Sequence, residues 1–167
     1  MKLSTRARYA LRMMVAITRE GDGTHAVSLG HVAASTMISR RYLEQLAIGL
    51  KRAGLIHGVS GRKGGYLLAH PPADVTVGQI VEATIGPINI VDCVLEPGHC
   101  VKADVCECRS VYERINDGIR RVLHSLTLEE LANADGARGL LPTVSADGFG
   151  CPTGDGDSAD PATPRRP

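Results

Sequence analysis

Apolar residues at helical spacing through the first 85 residues most strongly limit the folds open to this chain. In residues 4–19 they recur every three or four positions, which predicts a helix with one buried face that ends at Gly21. Only five of the 167 residues are aromatic and tryptophan is absent, so aliphatic side chains must form the core. This composition favours a mainly α fold over a β-sandwich.

Two serines are placed to begin the next two helices. Ser28 precedes a short segment that ends near Ala34, and Ser39 precedes a longer one. A serine at this position accepts a hydrogen bond from an N–H group of the first helical turn. Residues 35–38 then form the tight corner of a helix-turn-helix motif. The apolar face of the longer helix is predicted to contain Leu43, Leu46, Ala47 and Leu50.

A glycine-rich basic turn follows this motif. Residues 55–59 and 66–69 are typical of two short strands, and the residues between them include three glycines around Arg62 and Lys63. Beside a helix-turn-helix, such a β-hairpin predicts a wing whose cations contact phosphates or a narrow minor groove. The alternative is an ordinary solvated turn.

The chain is predicted to divide into four parts. Thr76 and Gln79 form a capping box for a helix that Gly86 ends, which closes a winged helix-turn-helix domain over residues 1–88. Residues 89–108 form a cysteine-bearing loop, and residues 109–133 form a long dimerisation helix with a short terminal helix. Residues 134–167 contain six glycines and five prolines without helical periodicity, which predicts a disordered tail with an incidental thiol at Cys151.

The predicted helix at residues 109–125 has an apolar stripe that a small domain cannot cover by itself. We therefore expect a homodimer in which this helix pairs with its copy. The stripe consists of Val111, Ile115, Ile119, Val122, Leu123 and Leu126.

Charged residues are unevenly distributed along the chain. Residues 1–70 hold eleven lysines or arginines and three acids, whereas residues 71–167 hold eight and fifteen. A basic half of this strength predicts a polyanionic partner, and we expect double-stranded DNA rather than a merely solvated basic face. No apolar run approaches the roughly 20 residues of a membrane span. Since residues 1–6 also lack the apolar stretch of a signal peptide, we expect a cytoplasmic protein without a membrane partner.

Four cysteines lie within sixteen residues of a polar loop, and core packing does not explain such a group. In a reducing cytosol, clustered thiols bind metals or sense redox change more often than they form structural disulfides. We interpret the group as a metal or iron–sulfur site. A zinc site, a thiol redox switch and an empty linker with free thiols are the alternatives, although the spacing lacks the paired Cys-x-x-Cys of many zinc sites. The cysteines are Cys93, Cys100, Cys106 and Cys108.

Two other classes of function fit the sequence less well. An enzyme or electron carrier would need a reactive set of residues, yet no Ser-His-Asp set, phosphate loop or convergent carboxylate pair is present and the histidines are scattered. We therefore expect no enzymatic activity. An adaptor that binds another protein would have no need for the basic half.

Taken together, these features resemble the Rrf2 family of winged-helix regulators over about residues 1–132. The resemblance is carried by residues 1–11, by residues 41–46 with residues 50–56, by the wing at residues 61–68, and by Cys93, Cys100 and Cys106. Each piece is weak alone, but their order and spacing are specific.

The resemblance implies a homodimer whose third helix enters the major groove of an operator and whose wing touches the minor groove. Arginines at the start of that helix would reach guanine edges or phosphates, Gln45 would pair with adenine, and Glu44 would accept from cytosine. The residues expected at the DNA are Ser28, Ser39, Arg40, Arg41, Tyr42, Glu44, Gln45, Arg62 and Lys63.

The resemblance also implies that the loop cysteines hold an iron–sulfur cluster, 2Fe-2S or 4Fe-4S, that controls operator binding. The fourth ligand departs from the family. IscR-like members use a histidine where this chain has Arg109, and NsrR-like members use an acid where it has Arg8. Cys108 is the first candidate for the fourth ligand, and His99, Glu107 or a group from the partner subunit are the others.

The expected function is that of a cluster-controlled transcriptional repressor. A zinc site or a thiol redox switch in a winged-helix regulator is the alternative. Cluster supply, oxidation, nitric oxide and iron all remain open as the signal.

Overall fold

The computed structural model describes residues 3–96, 98, 100–102 and 105–133. The predicted disordered tail with Cys151 and the candidate ligand His99 lie outside the described residues. The predicted helices and strands are observed in the predicted order, and the mainly α fold is confirmed; a short 3-10 helix and a four-residue helix inside the predicted cysteine loop were not predicted. The elements are α1 (Thr5–Glu20), α2 (Leu29–Thr36), α3 (Arg40–Arg52), β1 (Ile56–Val59), β2 (Gly65–Leu68), a short 3-10 helix (Pro72–Asp74), α4 (Val77–Ile85), α5 (Asp92–Leu95), α6 (Arg109–Ser125) and α7 (Leu128–Asn133).

The helix starts predicted from polar side chains are those observed. The hydroxyl of Ser28 accepts from the N–H of His31 at 3.2 Å, and the hydroxyl of Ser39 accepts from the N–H of Tyr42 at 3.4 Å. Thr76 and Gln79 form the predicted capping box, with hydrogen bonds of 3.2 and 2.8 Å. Such caps stabilise a helix by about 1 kcal/mol each, so these short helices begin at defined residues.

The core surrounds α1, which packs against α2, α3, α4 and α7. Met13 and Met14 are fully buried in it, together with Leu43, Leu46 and Leu50 of α3. Met13 and Ala16 are buried as well, because α1 has neighbours on more than one side. In contrast, Ile85 is exposed in the last turn of α4.

The wing is an antiparallel hairpin attached to the chain segment before α2. Ile56 pairs with Leu68 and Val59 with Gly65, and Val27 forms an additional bridge to Tyr66. The N–H of each residue in that bridge donates to the carbonyl of the other at 2.9 Å. A Cβ atom at Gly65 would overlap the carbonyl oxygen of Val27, so the close approach requires glycine.

The C-terminal helices pack onto the same core. Backbone hydrogen bonds join Val77 to Leu126 at 2.9 Å and Leu128 to Val75 at 2.7 Å, and Leu128 is fully buried. The N–H and hydroxyl of Thr127 donate to Glu130 at 2.8 and 3.0 Å, which holds the pKa of Glu130 below its ordinary value. The segment between α6 and α7 is thus bound to the residues at the start of α4.

The apolar stripe of α6 is only partly covered by the chain itself. Ile119, Leu123 and Leu126 pack against Val77, Val81 and Ile88. A second set on the same helix stays exposed: Val111 at 53%, Ile115 at 45% and Val122 at 59%. Among the described residues, no helix combines the length and apolar character needed to cross a membrane.

We expect Gly65→Ala to lower the free energy of unfolding by about 2 kcal/mol, because the new methyl group forces the wing away from Val27. Chemical denaturation measures this loss. Gly30→Ala is the matched control, since its new Cβ would make an ordinary contact of 3.8 Å in a helix, where alanine is preferred. Equal stability of the two variants would contradict the role of Gly65.

Candidate nucleic-acid interface and cysteine loop

Helix α3 presents two different faces. Its apolar residues, including Leu43 and Leu46, are buried against α1 and α4, as the sequence predicts. Because buried and exposed positions alternate at helical spacing, the opposite face carries polar side chains into solvent. The exposed members of the predicted DNA-binding set on this helix are Arg40, Arg41, Glu44 and Gln45.

Two of these side chains contact each other. Nε of Arg40 donates to Oε1 of Glu44 at 3.1 Å, one helical turn away, and both side chains are more than half exposed. An exposed pair of this kind contributes little to stability, so either side chain can leave it for a nucleic acid without a large cost.

Tyr42 differs from its neighbours because it is half-buried. Its ring meets the ring of Tyr9 edge-on, with centroids 5.7 Å apart and an interplanar angle of 88°. The guanidinium of Arg12 lies 5.9 Å from the centroid of Tyr9, and its Nη2 donates to the carbonyl of Thr36 at 2.9 Å. These contacts fix the start of α3 to α1. The sequence reasoning missed Tyr9 and Arg12, because an edge-on pair between two helices has no signature in a single sequence.

Ser28 and Ser39 lie at the N-termini of α2 and α3, where each hydroxyl caps its own helix. Both residues are exposed. Hydroxyls and backbone N–H groups at helix N-termini also suit contacts with phosphate.

The tip of the wing is a tight turn that holds two cations in solvent. The N–H of Gly64 donates to the carbonyl of Gly61 at 2.9 Å, and Gly61 has a φ of 116°, which favours glycine. Arg62 and Lys63, between these glycines, are exposed. Together with α3 they give this part of the molecule a cationic character that suits a polyanion.

The four loop cysteines are all free thiols. Cys93 lies on α5 and Cys108 directly precedes α6, and α5 packs against α6. Cys93, Cys100 and Cys106 are half-buried and Cys108 is exposed. The described part of the chain contains no group of three or more His, Cys, Asp or Glu side chains arranged to hold a metal ion. Thiolates are ligands that suit a soft metal or an iron–sulfur cluster. The arrangement of these thiols in the structure is not a closed coordination shell.

The two arginines at the positions of the family's fourth ligand have protein partners. Nε of Arg109 donates to Oε1 of Glu113 at 2.7 Å. Arg8 on α1 donates to the hydroxyl of Thr5 at 3.1 Å. Neither guanidinium is a metal ligand. The exposed Glu107 lies beside Cys106 and Cys108 in the sequence.

A polar cluster that the sequence reasoning missed joins α6 to α4. Glu82 of α4 lies 3.6 Å from Nε2 of His124 and 3.9 Å from a guanidinium nitrogen of Arg120. Nδ1 of His124 is 3.2 Å from the hydroxyl of Thr76. A Cβ at Gly78 would lie only 2.7 Å from the His124 ring, so glycine makes room for this contact. The helix after the cysteine loop is thus tied to the helix before it.

Comparisons with known proteins agree with this fold. The family model described as "Rrf2: Iron-dependent Transcriptional regulator" matches residues 3–134. The HTH-type transcriptional regulator CymR of Bacillus subtilis is 38% identical over 133 residues, which are 80% of this chain and 91% of CymR.

Solved structures show the same similarity. The structure of CymR from B. subtilis, described as the global cysteine regulator of that organism, has a TM-score of 0.67 and 35% identity, and the match covers 79% of this chain and 96% of CymR. IscR of T. potens has a TM-score of 0.62 and 34% identity, and the match covers 78% of this chain and 85% of that one.

The curated relatives are transcriptional regulators, which confirms the expectation that the chain is not an enzyme. The chain therefore belongs to the Rrf2 family of winged-helix, DNA-binding transcriptional regulators.

Proposed function

We propose that this regulator is a homodimeric repressor whose affinity for its operator is controlled by an iron–sulfur cluster on the loop cysteines. The observation that carries the proposal is the position of four free thiols in the connector between the winged-helix core and α6. The family to which the chain belongs is described as one of iron-dependent transcriptional regulators, which supports the proposal.

The DNA-binding part of the proposal assigns α3 to the major groove. The N-terminal residues of a recognition helix contact base edges, and arginine pairs with guanine there. Arg40 and Arg41 are exposed at that end of α3, and Gln45 follows one turn later. Ser28 and Ser39 would bind phosphates, and Tyr42 would hold α3 in place against α1. Glu44 would give up its ion pair with Arg40 and accept a hydrogen bond from cytosine instead.

The wing would contact the phosphates or the adjacent minor groove through Arg62 and Lys63. We expect Arg62→Ala and Lys63→Ala each to weaken binding to all duplex sequences and to reduce the slope of log affinity against log salt by about 1. Fluorescence anisotropy over a salt series measures both effects.

Lys102→Ala is the control for this wing prediction, because it removes an exposed cation from the cysteine loop instead. Gln45→Ala is expected to behave differently: it should lower the affinity only for duplexes that carry the base that Gln45 prefers. A salt slope that Arg62→Ala leaves unchanged would contradict the assignment of the wing.

The dimer part of the proposal rests on the exposed row on α6. Val111, Ile115, Gly118 and Val122 follow one another at intervals of four, three and four residues, as in a coiled-coil seam. Three of these residues expose apolar surface, and Gly118 has open space where a Cβ would be. A second copy of α6 offers the same row, and two-fold symmetry lets the two rows cover each other.

We expect Ile115→Asp to convert the dimer into a folded monomer, because two unpaired carboxylates would be buried at the centre of the paired rows. Sedimentation velocity measures the change in mass. Ile48→Asp is the matched control, since Ile48 is an exposed isoleucine on α3 and its change should leave the mass unchanged. A wild-type chain that sediments as a monomer would exclude the homodimer.

The cysteines Cys93, Cys100 and Cys106 would hold the cluster, with Cys108 as the fourth ligand. Such a cluster supplies a centre that responds to oxidants, nitric oxide or iron supply. The chain itself would couple the cluster to the fold. Cys93 belongs to α5 and Cys108 adjoins α6, so ligation of both residues would set the distance between them and thereby how α5 and α6 pack.

The polar cluster around Glu82 would transmit a change in the packing of α6 to the core. Arg120 and His124 of α6 contact Glu82 on α4, and α4 packs against α3. In a dimer joined through α6, two packings of α6 on α4 would give two separations of the recognition helices. An equilibrium between them couples the cysteine loop to operator affinity.

We expect protein purified without oxygen to contain iron and sulfide and to absorb visible light. Cys93→Ser, Cys100→Ser and Cys106→Ser should each lose the iron and sulfide, because serine is a poor ligand for the cluster. Cys108→Ser tests the fourth ligand through the absorption spectrum. Cys151→Ser is the control and should retain the full iron content. Iron-free wild-type protein, with operator affinity equal to that of the serine variants, would exclude cluster control.

A thiol switch or zinc site is the second candidate, favoured by the exposure of Cys108 and by the open arrangement of the described donors. Bacillus CymR, a relative, is described as a cysteine regulator. Metal analysis separates these cases. Zinc at one equivalent indicates a zinc site, and metal-free protein whose operator binding responds to a thiol oxidant indicates a redox switch.

A further inference from the structure

We propose that Met37, in the turn between α2 and α3, reads the methyl group of a thymine in the operator. This inference rests on the proposed DNA-binding surface. It assigns a base preference to a residue that lies outside the polar set on α3 and the wing.

The backbone of Met37 has an unusual conformation. Its φ of 58° and ψ of 30° lie in the left-handed region, and it is the only non-glycine residue with positive φ in the described ranges. A side chain there crowds the backbone, and the turn of a helix-turn-helix often contains glycine for this reason. Methionine at this position is therefore strained, and strain of this kind concentrates at functional sites.

The side chain of Met37 extends into solvent. The residue is 88% exposed, whereas its neighbours Thr36 and Ile38 are 7% and 5% exposed. A long apolar side chain gains nothing from water, and at this exposure packing can offset little of the backbone strain. The free protein thus holds an apolar group ready for a partner.

The turn that carries Met37 is rigidly held. Arg12 of α1 donates to the carbonyl of Thr36, and the hydroxyl of Thr36 donates to the carbonyl of Val32. Arg12 also lies over Tyr9, whose ring meets Tyr42 of α3. These contacts hold the backbone at Met37 in place relative to both α1 and α3, so its side chain extends from a defined position.

That place is the end of α3 at which base edges are contacted. Met37 is two residues before the N-cap Ser39 and three before Arg40. In the major groove, the C5-methyl of thymine is the apolar group that a side chain can recognise, and contact with an apolar residue distinguishes thymine from the other bases. Met37 supplies that contact beside the hydrogen-bonding arginines.

The experiment removes only the methyl group. A preferred duplex is first selected from a random library with the full-length protein, and each thymine of a half-site is then replaced by uracil. We expect one replacement to weaken binding by about fourfold, the effect of one buried methyl group. Met37→Gly should bind the thymine and uracil duplexes equally at that position.

Two further measurements distinguish recognition from a structural role. Met37→Gly should melt at the same temperature as the wild type or higher, because glycine relieves the left-handed backbone. Ile48→Ala, which removes a different exposed apolar side chain, located on α3, should retain the thymine preference.

The outcomes separate this inference from the proposed function. Tight binding of a selected duplex with equal uracil effects in wild type and Met37→Gly overturns the role of Met37 and leaves DNA recognition by α3 in place. A lower melting temperature in Met37→Gly with the thymine preference intact shows a structural residue and also overturns it. Failure to select any duplex above non-specific binding overturns both proposals.

Discussion

The burial of α1 is the interaction on which the rest of the structure depends. Ala7, Ala10, Met13 and Met14 have no exposed surface, and α1 contacts α2, α3, α4 and α7. Burial of each methionine contributes about 1.5–3 kcal/mol, and the small alanines let neighbouring helices come close. Since the helix-turn-helix and the C-terminal helices share this support, displacement of α1 would disturb the DNA-binding surface and the attachment of α6 together.

The same helix explains how a small surface can be held precisely. Arg12 extends from α1 to the carbonyl of Thr36, and Tyr9 meets Tyr42 edge-on at the start of α3. Each contact is modest, since an aromatic pair adds about 0.5–1.5 kcal/mol beyond its buried area. Together they leave the turn between α2 and α3 without a free hinge, and this turn is where the proposed base contacts begin.

The link between α6 and the core combines apolar packing with polar contacts. Glu82 faces Arg120 and His124, while Ile119 and Leu123 pack nearby on α4. Apolar packing holds α6 in place without specifying a single register, whereas directional polar contacts such as that of His124 with Thr76 favour one arrangement. The proposed control by the cysteine loop would use contacts of both kinds, because apolar packing keeps α6 attached while long, partly exposed ion pairs can be exchanged at small cost.

The sequence determined the order and limits of the helices and most of the residues at the candidate DNA surface. Ser28, Ser39 and Thr76 marked helix starts because capping is a local interaction, and the apolar spacing in α3 identified its buried face. Glycines around Arg62 predicted the wing for the same local reason. The helix of residues 109–125 was placed by periodicity alone and is observed with those limits.

Contacts between distant residues were decided only by the tertiary structure. The stripe of α6 reads as one face, yet Ile119 and Leu123 pack on α4 while Ile115 and Val122 are exposed, because only part of the helix lies over the core. The approach of Gly65 to Val27 arises from elements that are not neighbours in the sequence, and the left-handed backbone of Met37 is set by how α2 and α3 pack across their short turn. Local physics fixes helices and turns, and the packing of those elements decides which side chains remain free to bind.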